Sequence, residues 1–117
     1  IMTVAHGGTL HQHLPLLSSG TVHRDPEGIF SHHAAHLAEG SLIHQLTGAT
    51  DIRVNSAHHQ AVDSPGDLLV TGWAEDHTVE VCEDTSHTFV LGVQWHPEQS
   101  DVPQISDNLF SGLVKAC

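Results

Sequence analysis

The chain has 117 residues, which is enough for one domain with a buried core and too few for two ordinary domains. It has 14 acidic residues and a total of three lysine and arginine residues, which gives a formal net charge of −11. Its electrostatic field therefore repels phosphate backbones, so we do not expect nucleic acid as a partner. No apolar run approaches the roughly 18 to 20 residues that span a bilayer. No basic, apolar signal segment opens the chain either, so we expect a soluble, cytoplasmic protein without a membrane partner.

The first half reads as short elements joined by loops. Apolar residues before Gly7 and Gly8 indicate a helix that ends there, as if the chain began inside an element. Residues 15–31 are irregular and predict a loop on the substrate side. A strand is predicted over 33–37, and Ser41 is placed to cap a helix that stops at Gly48. A further brief strand is predicted over 51–54.

The second half is predicted to be rich in strands, over 68–74, 79–82 and 89–95. Residues 75–77 predict a hairpin turn in which His77 takes the left-handed conformation that glycine adopts more easily. The run "FVLGVQW" is nearly all apolar at its start, which predicts a central strand covered on both faces. Residues Ile105, Leu109, Phe110, Leu113 and Val114 recur at helical spacing, so a C-terminal helix is predicted to pack on the sheet.

The tripeptide His96-Pro97-Glu98 follows the last predicted strand. Proline biases His96 toward extended backbone, in which side chains two residues apart point to the same side, so Glu98 can reach the imidazole. A carboxylate that orients a histidine is the base half of a nucleophilic triad, in which the other ring nitrogen takes a proton from serine or cysteine. The alternative is a surface ion pair in a loop.

Four segments together resemble one protein family. In chain order they are "VAHGGTLHQHL", "HLAEGSLIHQL", "VNSAHHQAV" and "GVQWHPE". They are similar to class I glutamine amidotransferases, and in particular to the γ-glutamyl-γ-aminobutyrate hydrolases, also called peptidase family C26. The resemblance implies a flavodoxin-like α/β fold with a largely parallel central sheet, a strand hairpin and flanking helices. Residues 1–117 would form the C-terminal part of a single domain.

The resemblance also implies the chemistry. A Cys-His-Glu triad would hydrolyse γ-glutamyl amide bonds, with His96 as base and Glu98 as its orienting carboxylate, and without a metal or an organic cofactor. In the family the cysteine lies in a Gly-x-Cys-x-Gly turn just before the segment that matches Ile1. Cys82 falls in a predicted strand and Cys117 ends a predicted helix, so we expect neither to be the nucleophile. This chain alone would then be inactive, and a missing N-terminal half or a partner chain would supply the thiol.

The loop "NSAHHQ" is the second candidate region. Its polar residues His58, His59 and Gln60 could project over the site, and the resemblance places this motif near the γ-glutamyl substrate. The alternative is a hydrogen-bonded turn in which Asn55 and Ser56 satisfy backbone groups.

Thirteen histidines raise the question of a metal. The local groups are His11 and His13, then His32, His33 and His36, then His58 and His59. Stable sites need three or four convergent ligands, and the sequence fixes no such set, so we expect adventitious binding and no functional metal site.

Two other functions stay open. The whole protein could be an amidotransferase that passes ammonia to a synthase, although "NSAHHQ" argues against that branch. Alternatively, the chain could be a non-catalytic module, whose unpaired apolar surface would favour an oligomer, aggregation or a partner chain.

Overall fold

A computed structural model describes residues 1–14, 22–24 and 29–117. Three α-helices lie in these residues: α1 (Met2–Ala5), α2 (Leu42–Thr47) and α3 (Pro103–Ala116). Seven strands form one sheet: β1 (Thr9–His11), β2 (Ser31–Leu37), β3 (Asp51–Ser56), β4 (Ala61–Ser64), β5 (Leu69–Ala74), β6 (Val79–Glu83) and β7 (Leu91–Val93). Within the described ranges no helix is both long and apolar enough to cross a membrane.

The sheet has the strand order β1-β4-β6-β5-β2-β3, with β7 also paired to β6. Every pairing between described strands is antiparallel, so the predicted α/β class holds but the predicted largely parallel sheet was wrong. The physical reason lies in the connections. Parallel neighbours need a crossover of about a dozen residues or more, whereas β5 and β6 are joined by the tight turn 75–78.

That turn has the conformation predicted for it. His77 has a φ of 67°, in the left-handed region where a side chain is disfavoured. The backbone N–H of Thr78 donates to the Asp76 carboxylate (3.1 Å), which closes the turn locally.

The predicted strand over 89–95 is shorter and less buried than expected. Only residues Leu91–Val93 form β7, all three are half-buried, and β6 is their one strand partner in the described part of the chain. The prediction of a deeply buried central strand was therefore wrong for these residues. Two further strands, β1 and β4, lie where the sequence predicted no strand.

Helix α2 confirms its predicted boundaries. The Ser41 hydroxyl accepts a hydrogen bond from the His44 N–H (3.2 Å), and Gly48 ends the helix with a φ of 71°. The helix start also rests on Glu83 of β6, whose carboxylate accepts hydrogen bonds from the backbone N–H groups of Leu42 and Ile43, both at 3.0 Å. Glu83 of the sheet thus adds to the support that the Ser41 cap gives the start of α2.

The core lies between the sheet and the helices. Its buried members are Ala35, Leu37, Ile43, Ile52, Val54, Val81, Trp95 and Leu109. Helix α3 joins it through Leu109 and the half-buried Ile105, but Phe110, Leu113 and Val114 are 47, 48 and 74% exposed. The predicted helix is confirmed, while three of its five predicted apolar contacts face outward.

Candidate active site

His96 and Glu98 form a direct pair. The distance from His96 Nδ1 to Glu98 Oε1 is 2.7 Å. The route differs from the prediction, because residues Pro97–Gln99 form a 3-10 turn instead of continuing as an extended strand. The side chains therefore meet across a turn that directly follows the buried Trp95.

Three hydrogen bonds hold this turn in place. The His96 N–H donates to the Asn55 carbonyl (3.2 Å), and the Asn55 side-chain amide donates to the Gln99 carbonyl (2.9 Å). The Ser106 hydroxyl of α3 donates to the Pro97 carbonyl (2.5 Å). The pair is thus fastened to β3 on one side and to α3 on the other.

The pairing sets the chemical state of both groups. The hydrogen bond from His96 lowers the pKa of Glu98 below its ordinary value, so its carboxylate is ionised at neutral pH. A carboxylate at Nδ1 favours the tautomer with the proton on that nitrogen, which leaves Nε2 free to accept one. The side chains are 42 and 55% exposed, and the Phe30 ring packs edge-on to the imidazole at 5.2 Å between centroids. This arrangement can act as a general base open to a reactant.

The residues of the 58–60 loop point in different directions. His59 is exposed, and the Gln60 side-chain amide donates to the Gln12 side chain (2.7 Å). His58 is buried, and its Nδ1 lies 2.8 Å from the Gln60 carbonyl. Ser56 donates to the His23 carbonyl (2.7 Å), so Asn55 and Ser56 satisfy backbone groups as the alternative interpretation predicted.

The two cysteines occupy unlike places. Cys82 is buried in β6, and burial raises the pKa of its thiol despite a hydrogen bond with Thr3. Cys117 is exposed after the end of α3. A raised pKa disfavours the thiolate, which agrees with the prediction that Cys82 is not a nucleophile.

A second cluster of ionisable groups lies inside the fold. His23 Nδ1, His33 Nε2 and His58 Nε2 lie 3.3, 3.5 and 3.4 Å from the same oxygen, Glu80 Oε1. These four residues are between 1 and 9% exposed. On the far side of the His23 ring, Nε2 lies 3.0 Å from Asp76, whose side chain is 5% exposed. We call these five residues the histidine cluster.

Charge dominates the histidine cluster. Burial alone would lower the pKa of His23, but Glu80 and Asp76 outweigh it and raise the pKa. Burial alone would raise the pKa of Glu80, but His23 and His58 outweigh it and the pKa lies below its ordinary value. The pKa of Asp76 is lowered too, because its partners His23 and Thr78 outweigh burial.

Sequence reasoning missed this cluster, although two local signals were available. In β2 the buried residues alternate, and His33 shares the inward face with Ala35 and Leu37. In β6 Glu80 is a carboxylate between two apolar residues, Val79 and Val81. Both patterns place a polar side chain in the core, where a partner is required.

Comparison with known proteins identifies the family. The sequence model of the family described as Peptidase C26 matches residues 1–98. The chain belongs to the peptidase C26 family. A Mycobacterium tuberculosis protein (strain ATCC 25618 / H37Rv), named as a candidate glutamine amidotransferase, is 42% identical over 118 residues, covering 99% of this chain and 37% of that protein. The γ-glutamyl-γ-aminobutyrate hydrolase PuuD of Escherichia coli (strain K12) is 37% identical over 126 residues, covering 99% of this chain and 49% of that protein.

A solved structure confirms the fold of this C26 chain. The structure of a candidate GMP synthase component from Thermoplasma acidophilum superposes with a TM-score of 0.73 at 14% sequence identity, covering 99% of this chain and 51% of that one. The chain therefore spans about half or less of the curated relatives and of the solved structure.

Proposed function

We propose that the complete protein hydrolyses γ-glutamyl amide bonds with a Cys-His-Glu triad, to which this chain contributes His96 and Glu98. The observation that carries the proposal is the 2.7 Å contact between His96 Nδ1 and the Glu98 carboxylate, which leaves the other imidazole nitrogen as the base. Membership of the C26 family and similarity to a γ-glutamyl-γ-aminobutyrate hydrolase support it.

In the proposed reaction, a cysteine thiol outside this chain transfers its proton to His96 Nε2. The thiolate attacks the γ-carbonyl carbon of the substrate, and the carbonyl electrons move to oxygen. As the intermediate collapses, the C–N bond breaks and His96 returns the proton to the leaving amine. Water then attacks the thioester with His96 again as base, which releases glutamate and regenerates the thiol. Glu98 holds the imidazole and stabilises the imidazolium throughout.

The proposal includes the domain and its substrate side. Residues 1–117 form the C-terminal part of one glutamine amidotransferase-like domain, inactive by itself, whose other part supplies the thiol. We place His59 and Gln60 on the γ-glutamyl side, because His59 is exposed at the surface of the loop. Substrate contact by His58 stays a prediction, although its imidazole is buried in this chain.

Steady-state kinetics of the complete protein on γ-glutamyl-γ-aminobutyrate test this proposal. His96→Ala is expected to lower kcat by more than about 100-fold, since it removes a general acid and base worth about 100- to 10,000-fold. His87→Ala is the matched control, because His87 is exposed and its Nδ1 also lies close to a carboxylate, that of Asp84 (2.8 Å). Unchanged turnover in His96→Ala would overturn the assignment.

A glutaminase that passes ammonia to a synthase is the second candidate function. It is favoured by the fold shared with a candidate GMP synthase component and by the relative named as a candidate glutamine amidotransferase. The two functions differ in substrate. Faster hydrolysis of glutamine than of γ-glutamyl-γ-aminobutyrate, stimulated by a co-purifying synthase, would support the second and contradict the first.

A non-catalytic association module is the remaining alternative for the isolated chain. Exposed apolar side chains at both ends, among them Ile1, Val4 and Val114, leave surface for another part of the protein to cover. The isolated 117-residue chain is therefore expected to elute from size exclusion as oligomers or aggregates. A stable monomer at low concentration would contradict the half-domain proposal.

A further inference from the structure

The histidine cluster directs an unusual set of atoms at one point. His23 Nδ1, His33 Nε2, His58 Nε2 and both Glu80 carboxylate oxygens are buried and have no hydrogen-bond partner within the described residues. Buried polar atoms are nearly always hydrogen-bonded, because an unpaired one has lost the hydrogen bonds that it made with water. Four of these atoms, one from each residue, lie within 4.8 Å of one another and call for an occupant that satisfies them together.

The outer ring nitrogens indicate which inner atoms carry lone pairs. His33 Nδ1 lies 3.1 Å from the Ala34 carbonyl, and His58 Nδ1 lies 2.8 Å from the Gln60 carbonyl. His23 Nε2 lies 3.0 Å from the Asp76 carboxylate. Each of these partners is an acceptor, so each outer nitrogen carries the proton. In the neutral tautomers all three inner nitrogens then present lone pairs to the Glu80 carboxylate, which is repulsive unless a positive charge, either a proton or a metal ion, lies between them.

We propose that the histidine cluster is a closed tetrahedral site for a divalent metal ion of the zinc class, with three imidazole nitrogens and the Glu80 carboxylate as ligands. A cation converts the converging lone pairs from a repulsive into a bonding arrangement. Three nitrogens and one carboxylate oxygen form a donor set that suits zinc.

The distances agree with this geometry. Zinc bonds of about 2.0 to 2.1 Å in a tetrahedron place neighbouring ligand atoms roughly 3.3 to 3.4 Å apart. The three distances from Glu80 Oε1 to the imidazole nitrogens are 3.3, 3.5 and 3.4 Å. All four ligand atoms lie within 4.8 Å of one another, so the histidine nitrogens have to move closer together when an ion binds.

The groups that surround the three histidines are those that commonly support metal-binding histidines. Such histidines donate their other ring N–H to a carboxylate or a backbone carbonyl, and all three do so here. The two positive charges of the ion equal the negative charges of Glu80 and Asp76, so the buried group is neutral as a whole.

All four positions are filled by protein, which is the arrangement of a structural and not of a catalytic metal. The ion would join β2, β6, the 58–60 loop and residues 22–24. His23 is already fastened there, since its carbonyl accepts hydrogen bonds from the His58 N–H (3.1 Å) and the Ser56 hydroxyl (2.7 Å). The site is distinct from the His96–Glu98 pair and needs no hydrolase activity.

The test is metal binding by the complete protein after chelator treatment and dialysis. Zinc is titrated in competition with a chromophoric chelator, and Co²⁺ is added in a parallel sample as a spectroscopic probe of geometry. We expect one zinc per chain, the intense visible absorption of tetrahedral Co²⁺, and a higher melting temperature with zinc.

Variants distinguish this site from adventitious binding by surface histidines. His33→Ala is expected to weaken zinc binding by more than about 100-fold, and Asp76→Asn by about 10- to 100-fold. The double variant His11→Ala with His13→Ala is the control and should bind as the wild type does.

Three results would overturn the proposal. They are the lack of stoichiometric binding, an octahedral Co²⁺ spectrum, and tight binding that survives both His33→Ala and Asp76→Asn. Circular dichroism reports whether each variant folds. If His33→Ala is unfolded, the milder Asp76→Asn variant decides, because it removes no ligand.

Discussion

The His96–Glu98 pair and the histidine cluster combine the same residue types with opposite consequences. The pair is about half exposed, and one carboxylate faces one imidazole at 2.7 Å. In the histidine cluster three imidazoles crowd one carboxylate oxygen at 3.3 to 3.5 Å and almost no solvent reaches them. Exposure leaves Nε2 of His96 accessible to a reactant. In the histidine cluster the same groups are buried and contact one another, so they can join separate segments of the fold.

The comparison predicts that a variant of Glu80 loses stability, whereas a variant of Glu98 loses turnover. Glu80→Gln removes a buried charge that faces three imidazoles, so it should lower the free energy of unfolding by about 3 to 5 kcal/mol. Denaturant unfolding followed by tryptophan fluorescence measures this. Glu75→Gln, at an exposed position on the neighbouring turn, is the control and should change little. Equal stability of Glu80→Gln and wild type would remove the distinction between the two regions.

Glu98→Gln should show the opposite behaviour. Its side chain is 55% exposed, so stability is expected to stay near that of the wild type. The amide cannot stabilise an imidazolium, and kcat should fall about 10- to 100-fold while His96 still provides some turnover. Kinetics and unfolding of the same preparation give both values. A large loss of stability with unchanged kcat would reverse the assignment.

A smaller effect is expected at the turn that presents Asp76 to His23. His77 has a φ of 67°, which costs a non-glycine residue about 1 to 2 kcal/mol, so His77→Gly should stabilise the protein by up to about 1 kcal/mol after its greater chain entropy is subtracted. Gly48→Ala is the matched control, since Gly48 has a φ of 71° and an added Cβ meets nothing within 4 Å. It should destabilise by a similar amount. Thermal unfolding decides, and a destabilised His77→Gly would show that its side chain supports the turn.

The smallest effect concerns the Glu98 carboxyl alone. Its pKa is lowered in the folded state. The interaction with His96 is therefore complete above pH 4.5, the ordinary pKa of a glutamate, and is lost only as the pH falls through the lowered pKa. In His96→Ala, the midpoint of the Glu98 titration should rise toward pH 4.5. Carboxyl NMR of the complete protein follows this titration. An identical midpoint in both proteins would mean that His96 does not set the charge of Glu98.

Features that depend on residues close together in the sequence could be predicted, whereas features that depend on distant residues could not. The limits of α2 depend on Ser41 and Gly48 at the two ends of the helix, and the His96–Glu98 contact spans two residues, so local patterns found both. The family resemblance gave the fold class. The meeting of His23 with Glu80 depends on the packing of distant segments, which no local pattern encodes.

The wrong strand predictions have physical causes of their own. The expected parallel sheet was carried over from the family as a whole, whereas every pairing between the described strands is antiparallel. Strand β4 was hidden because Ala61–Ser64 follows a polar loop and contains a single strongly β-favouring residue, Val62. The apolar run ending at Trp95 predicted burial on both faces, but it pairs only with β6 within the described chain. Much of the predicted loop over 15–31, including 15–21 and 25–28, lies outside the described residues.

The central claim is that His96 and Glu98 act as one catalytic unit. The most direct test is kcat of the complete protein on γ-glutamyl-γ-aminobutyrate for His96→Ala, Glu98→Gln and the double variant. Groups that act as a unit are non-additive, so the double variant should match His96→Ala within about twofold. A further loss of about 10-fold or more in the double variant, as large as Glu98→Gln causes alone, would show that the two residues act independently and would contradict the claim.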